Sequence, residues 1–172
     1  MLFWILMALM MLVATLTQAS LPVWAVLGYA RSPVLLGLVL YYALNHKLWV
    51  VVPVAFTAGM LQDGLSMVPL GYSALLFCLV AIVAARYRQL VLSEAAVTAA
   101  FFGGIASLVV SLALYLLLRK ADLISCKGSV ATLHILGSGI LGLVTVPVVF
   151  LSMAGLHRSL DLIEEEGVDV TA

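Results

Sequence analysis

Asp63 is the only acidic residue between Met1 and Glu94, and it stands at the end of an apolar run, in Gly59-Met60-Leu61-Gln62-Asp63-Gly64. A carboxylate close to hydrocarbon is costly unless it is paired, hydrated or hydrogen-bonded, so its presence asks for a role. Three roles suit the residue type. It can rest at a water interface, take part in a proton or ion path, or accept hydrogen bonds from the free N–H groups that open the next helix near Pro69 and Gly71. A path normally needs a second intramembrane polar group, and the apolar runs contain no Lys, Arg or Glu to provide one. The expectation is therefore a structural brace.

The other reactive side chains do not assemble. His46, His134 and His157 are scattered, with no pair at helical ligand spacing, and Cys78 and Cys126 form neither a CxxC nor a zinc pattern. Nucleotide-binding, metalloprotease and serine-nucleophile motifs are not found, so the sequence predicts no catalytic residues, no metal and no cofactor. The one charge cluster, Glu164, Glu165 and Glu166, reads as a solvated terminus.

The elements that must position Asp63 are apolar helices. Hydrophobic residues make up 65% and charged residues 9% of the 172 residues, and mean hydropathy is +1.25. A soluble domain carries about one quarter charged residues, so this composition belongs in a membrane. The net charge of zero gives no basic patch for nucleic acid. Apolar runs cover Leu2 to Leu16, Val34 to Leu44, Leu48 to Leu61, Leu70 to Ala85, Ala95 to Leu118 and Val130 to Leu156. The reading is an all-α integral membrane protein, with six transmembrane helices in residues 1–158 and a short acidic tail in 159–172. Met1 to Leu16 lacks the preceding Lys or Arg of a secretion signal, and it reads as a retained first helix. The second and third runs are shorter than the roughly 20 residues of a perpendicular crossing, so they must recruit flanking residues, thin the membrane or form a hairpin that dips partway in.

Six crossings place Lys47, Arg86, Arg88 and Arg158 on the side of both termini and Arg31, Arg119, Lys120 and Lys127 on the other. That balance does not set orientation. The fifth run carries small residues at a four-residue step, Ala95, Ala99, Gly103, Ser107 and Ser111, and Ser138 and Gly142 offer a shorter counterpart on the sixth. Such a ridge lets backbones approach closely, either within the chain or against a partner's helix.

The stretch from Gly59 to Leu75 resembles the signature of the rod shape-determining membrane protein family MreD, in which G-x-x-x-D leads through a short loop to P-x-G and a small residue followed by Leu. Gly59, Asp63, Pro69 and Gly71 take those places. Upstream, Pro33 to Leu44 followed by Asn45-His46-Lys47 fits the family's proline-led helix and polar break, and Arg86-Tyr87-Arg88 fits its basic helix end. The N-terminus lacks the basic residue often seen in the family, and the acidic tail is not a family feature.

The resemblance implies a fold similar to the six-helix substrate-binding (S) components of ECF vitamin transporters, and a multi-pass protein of the bacterial inner membrane with both termini cytoplasmic. It implies a non-enzymatic scaffold of the elongation complex, which guides lateral peptidoglycan synthesis. Its partners there would be the single-span protein MreC, with the MreB cytoskeleton, the polymerase RodA and a class B penicillin-binding protein nearby. A vitamin-type substrate carrier is the alternative on the same architecture. It needs convergent polar groups on an apolar wall, and outside the Asp63 segment that side offers mainly Arg31, Arg119, Lys120, Asp122 and Lys127.

Overall fold

The computed structural model describes residues 2–21, 31–66, 69–87, 96–120 and 128–169, with side chains placed in 7–21, 31–66, 69–87, 100–120 and 131–155. Six helices fall in these residues and follow the six apolar runs: α1 (Leu2–Ser20), α2 (Val34–Asn45), α3 (Leu48–Ser66), α4 (Tyr72–Arg86), α5 (Ala96–Lys120) and α6 (Gly128–Asp169). Three of them, in the spans Leu48–Ser66, Ala100–Lys120 and Ala131–Gly155, are long and apolar enough to cross a membrane.

Several boundaries differ from the sequence expectation, α1 among them, which runs on from Leu16 to Ser20, and three of the differences have a clear local reason. α3 runs five residues past Leu61, through Gln62 and Asp63 to Ser66, because the polar side chains there find partners and need not leave the helix. α4 starts at Tyr72 rather than Leu70, because Gly71 has φ +107°, a left-handed conformation that a right-handed helix cannot contain. α6 continues through residue 158 as one helix to Asp169, since no proline interrupts it there; the backbone of much of the expected acidic tail is thus an extension of the last helix. Pro53 and Pro147 both lie within helices.

α2 occupies the centre. Every residue from Val34 to Leu44 is buried, and the helix touches all five others. A helix that is apolar all round is stable only where every face is covered. This explains its length: at 12 residues it rises about 18 Å, short of the roughly 30 Å hydrocarbon core, but α2 meets neighbouring helices rather than lipid and has no bilayer thickness to match. Gly37 brings it close to α6, where an added Cβ would lie 3.3 Å from Val149. Tyr41 packs edge-on to Phe150 with ring centroids 5.4 Å apart, and Tyr42 stacks on His46.

The outer faces carry the exposed apolar side chains, among them Leu9, Leu12 and Leu16 on α1 and Phe101, Ile105 and Val109 on α5. Trp49, 91% exposed beside Lys47, has the amphipathic ring suited to a membrane–water boundary.

Candidate functional site

Helix α4 begins with unpaired amide groups, as every helix does, and its own N-cap residue, Gly71, has no side chain to satisfy them. Asp63 does so from the end of α3. Its side chain is completely buried. Oδ2 accepts a hydrogen bond from the Gly71 amide at 2.7 Å, and the Ser73 amide donates to Oδ1 at 3.0 Å and to Oδ2 at 3.2 Å. One carboxylate thus caps a second helix in trans, at the end where the helix dipole favours negative charge.

Gly59 makes that reach feasible. It lies one turn before Asp63 on the same face of α3. A Cβ built on Gly59 would stand 2.3 Å from Cα and 2.5 Å from N of Ala74, so the backbones of α3 and α4 touch with nothing between them. Gly71 supplies the left-handed turn. Pro69 is exposed in the connection and fixes the backbone before Leu70 and Gly71. Gly59, Asp63 and Gly71 therefore meet at one helix junction, with Pro69 on its rim. The Ser73 hydroxyl is buried there without a hydrogen-bond partner.

A second junction beside it uses Gln18, which the sequence reading passes over. Gln18 is 2% exposed in the last turn of α1, and its Oε1 accepts from the Leu35 amide at 3.0 Å. Pro33, the N-cap of α2, makes no side-chain cap, so Gln18 serves α2 as Asp63 serves α4. Its Nε2 donates to Oε1 of Gln62, whose own Nε2 donates to Ser66 Oγ at 3.2 Å. Arg31 completes the group by donating from Nη1 to the Leu65 carbonyl at 3.0 Å, in the last turn of α3. The local signal was a long amide side chain, Gln18, at the end of an otherwise apolar helix.

The small-residue ridge lies elsewhere, between α5 and α6. Gly103 faces Val146, Gly104 faces Leu143, and Gly142 faces Ser107, each close enough that an added Cβ would fall within 2.7 Å of the neighbour. Ser107 Oγ donates to the Ser138 carbonyl at 2.6 Å. Gly103 and Ser107 are thus occupied within the chain. Ser111 is half-buried, the side chain of Ala99 lies outside the placed side chains, and Ala95 lies outside the described residues. Among the described residues no group of three His, Cys, Asp or Glu side chains could hold a metal ion.

Four of the described polar side chains join helices: Asp63 and Gln18 satisfy helix N-termini, Arg31 a C-terminus, and Ser107 a neighbouring backbone. No curated protein and no solved structure matches the chain. A family model described as rod shape-determining protein MreD matches residues 1–155, a span that contains both junctions and the α5–α6 seam. With that match over nine-tenths of the length and apolar helices fit for a bilayer, the chain belongs to the MreD family of rod shape-determining membrane proteins.

Proposed function

We propose that the protein is a non-enzymatic membrane scaffold of the cell-elongation complex, supporting lateral peptidoglycan synthesis by holding an MreC-type single-span protein. RodA, a class B penicillin-binding protein and MreB belong to the same assembly in this reading. The observation that carries it is the family match joined to the fate of the buried polar groups. A carrier keeps convergent polar groups free for a ligand; here Asp63, Gln18 and Ser107 are committed to backbone partners. Since Gly103 and Ser107 face α6, a partner's helix docks on another surface.

The same reading gives six crossings with both termini in the cytoplasm, in the fold of the ECF S components. The six apolar helices in chain order support it, and the short α2 is covered by its neighbours rather than by lipid. A C-terminal alkaline phosphatase fusion is then inactive, and an active one removes the even number of crossings.

Co-purification in mild detergent tests the scaffold. The expected result is recovery of a single-span partner with the full chain. Recovery of the chain alone, with a stoichiometric small molecule bound, overturns the scaffold in favour of the carrier.

A further inference from the structure

A groove of about 740 Å³ runs between α4 and the last turns of α5, lined by Leu76 on one side and Ala113, Leu116, Leu117, Arg119 and Lys120 on the other. Its volume falls in the range of small-molecule sites, roughly 300–1,000 Å³. The lining divides by chemistry. Four apolar side chains form the body, and two adjacent cations stand at one end. The only carboxylate with a placed side chain, Asp63, is engaged with the α4 amides, so neither cation has a carboxylate partner among the placed side chains.

The position along the membrane matters as much as the composition. α5 has 25 residues and so rises about 37 Å, more than the roughly 30 Å hydrocarbon core. A spanning helix of that length carries its final turn, which holds Arg119 and Lys120, to the headgroup layer and leaves Ala113, Leu116 and Leu117, one to two turns earlier, at acyl-chain depth. We infer that this groove binds a phospholipid with an anionic headgroup, its phosphate against Arg119 and Lys120 and one acyl chain laid along Leu76, Ala113 and Leu117. A guanidinium beside an ammonium suits a phosphodiester, as fork and point charge respectively. A zwitterionic choline headgroup brings a cation of its own to the same two cations. A partner's transmembrane helix is the less fitting occupant, because it would need to place an acidic residue at this depth. The inference concerns lipid selection and does not depend on the scaffold reading.

The test uses the full chain in nanodiscs containing equal parts phosphatidylglycerol and phosphatidylcholine, with retained lipid counted by native mass spectrometry. The unaltered protein retains phosphatidylglycerol in preference. Arg119→Gln lowers that preference roughly fivefold, and Arg119→Gln with Lys120→Gln about thirtyfold, the size expected for basic side chains beside an anionic headgroup. Both side chains are exposed, so these changes leave the fold alone, which an unchanged unfolding temperature verifies. Ala113→Trp fills the body of the groove and abolishes retention of either lipid there. Equal retention of the two lipids by the unaltered protein overturns the inference. So does loss in the charge variants with full retention in Ala113→Trp, which would place the headgroup on a bare surface, and so does selective retention that survives loss of both charges.

Discussion

Gly59 and Asp63 sit one turn apart on α3 and act on the same turn of α4: the glycine lets the Ala74 backbone approach to contact distance, and the carboxylate takes the Gly71 and Ser73 amides. The two depend on each other. Separation of the helices by even one methyl group moves the amides out of hydrogen-bonding range, and loss of the carboxylate leaves them unpaired in a region with little water. The five-residue connection between Ser66 and Tyr72 is thereby anchored by one face of α3.

Gly59→Ala is expected to destabilise the protein by about 1–3 kcal/mol, the usual cost of overpacking, because the obstacle is backbone and cannot rotate away. Gly64, in the same helix, has open space where a Cβ would go. Gly64→Ala should be neutral or stabilise by about 0.5–1 kcal/mol through helix propensity. Thermal unfolding in detergent compares the two; equal effects would remove the close approach from the account.

Asp63→Ala leaves two donors without an acceptor, at about 1–3 kcal/mol each. Asp63→Asn is expected to be milder, since an amide oxygen in the Oδ2 position reaches both Gly71 and Ser73, although its NH2 then faces the Ser73 amide. Membrane abundance and cell shape should both follow the order Asp, Asn, Ala. A proton-relay or carrier role predicts instead that Asn fails as fully as Ala while abundance stays normal, and that outcome would falsify the capping role.

Ser73 offers a contrasting case at the same junction. Its hydroxyl is buried and unpartnered, and an unmade hydrogen bond carries its desolvation cost without a return. Ser73→Ala should leave stability unchanged or raise it by about 1 kcal/mol, while the amide bond to Asp63 persists. A clear loss of stability means that the hydroxyl has a partner.

The legibility of these features follows from how far each depends on a distant residue. Asp63 stands out because an isolated carboxylate in apolar sequence has few tolerable surroundings, and the nearby Pro69 and Gly71 mark a helix start. The small ridge is visible in the spacing of Gly103 and Ser107, yet spacing does not say which helix covers it; Val146 does. Gln18 stays hidden. Between Thr17 and Ala19 it reads as part of a helix end, and the amide it serves belongs to Leu35, 17 positions on. α2 is misleading when measured against the bilayer, because its 12 residues match its neighbours and not the lipid. Its uniform burial, rather than its length, states its place.

On α5, Gly103→Leu should disrupt the seam with α6 by several kcal/mol, since Val146 is fully buried and has nowhere to yield; cores resist such insertion by about 1–3 kcal/mol per modest excess. Ser107→Ala should cost less, about 0.6–1.7 kcal/mol for one interhelical hydrogen bond. Ile105→Leu, on the exposed face, is the control and should be silent. If the partner is recovered normally with all three variants and thermal stability is unchanged, the seam does not contribute as described.

The last expectation separates the two glutamines. Gln18→Leu keeps the apolar bulk but strips the Leu35 amide of its acceptor and the Gln62 oxygen of its donor, in a fully enclosed site. Gln62→Leu removes the bond between the two side chains and the bond to Ser66 and leaves Gln18 Nε2 without its acceptor, but the Leu35 backbone amide keeps Gln18 Oε1. Leaving a buried donor unmade costs about 1–3 kcal/mol, whereas removing a pair together can be nearly neutral. Gln18→Leu should therefore be the more costly change. The double variant should cost less than the two singles together, because their shared bond is lost only once. Hydrogen exchange gives the sharper reading: protection of the Leu35 amide should fall in Gln18→Leu and stay intact in Gln62→Leu. Equal loss of protection in both would mean that Gln62 holds Gln18 in place and that the cap on α2 is the work of the pair.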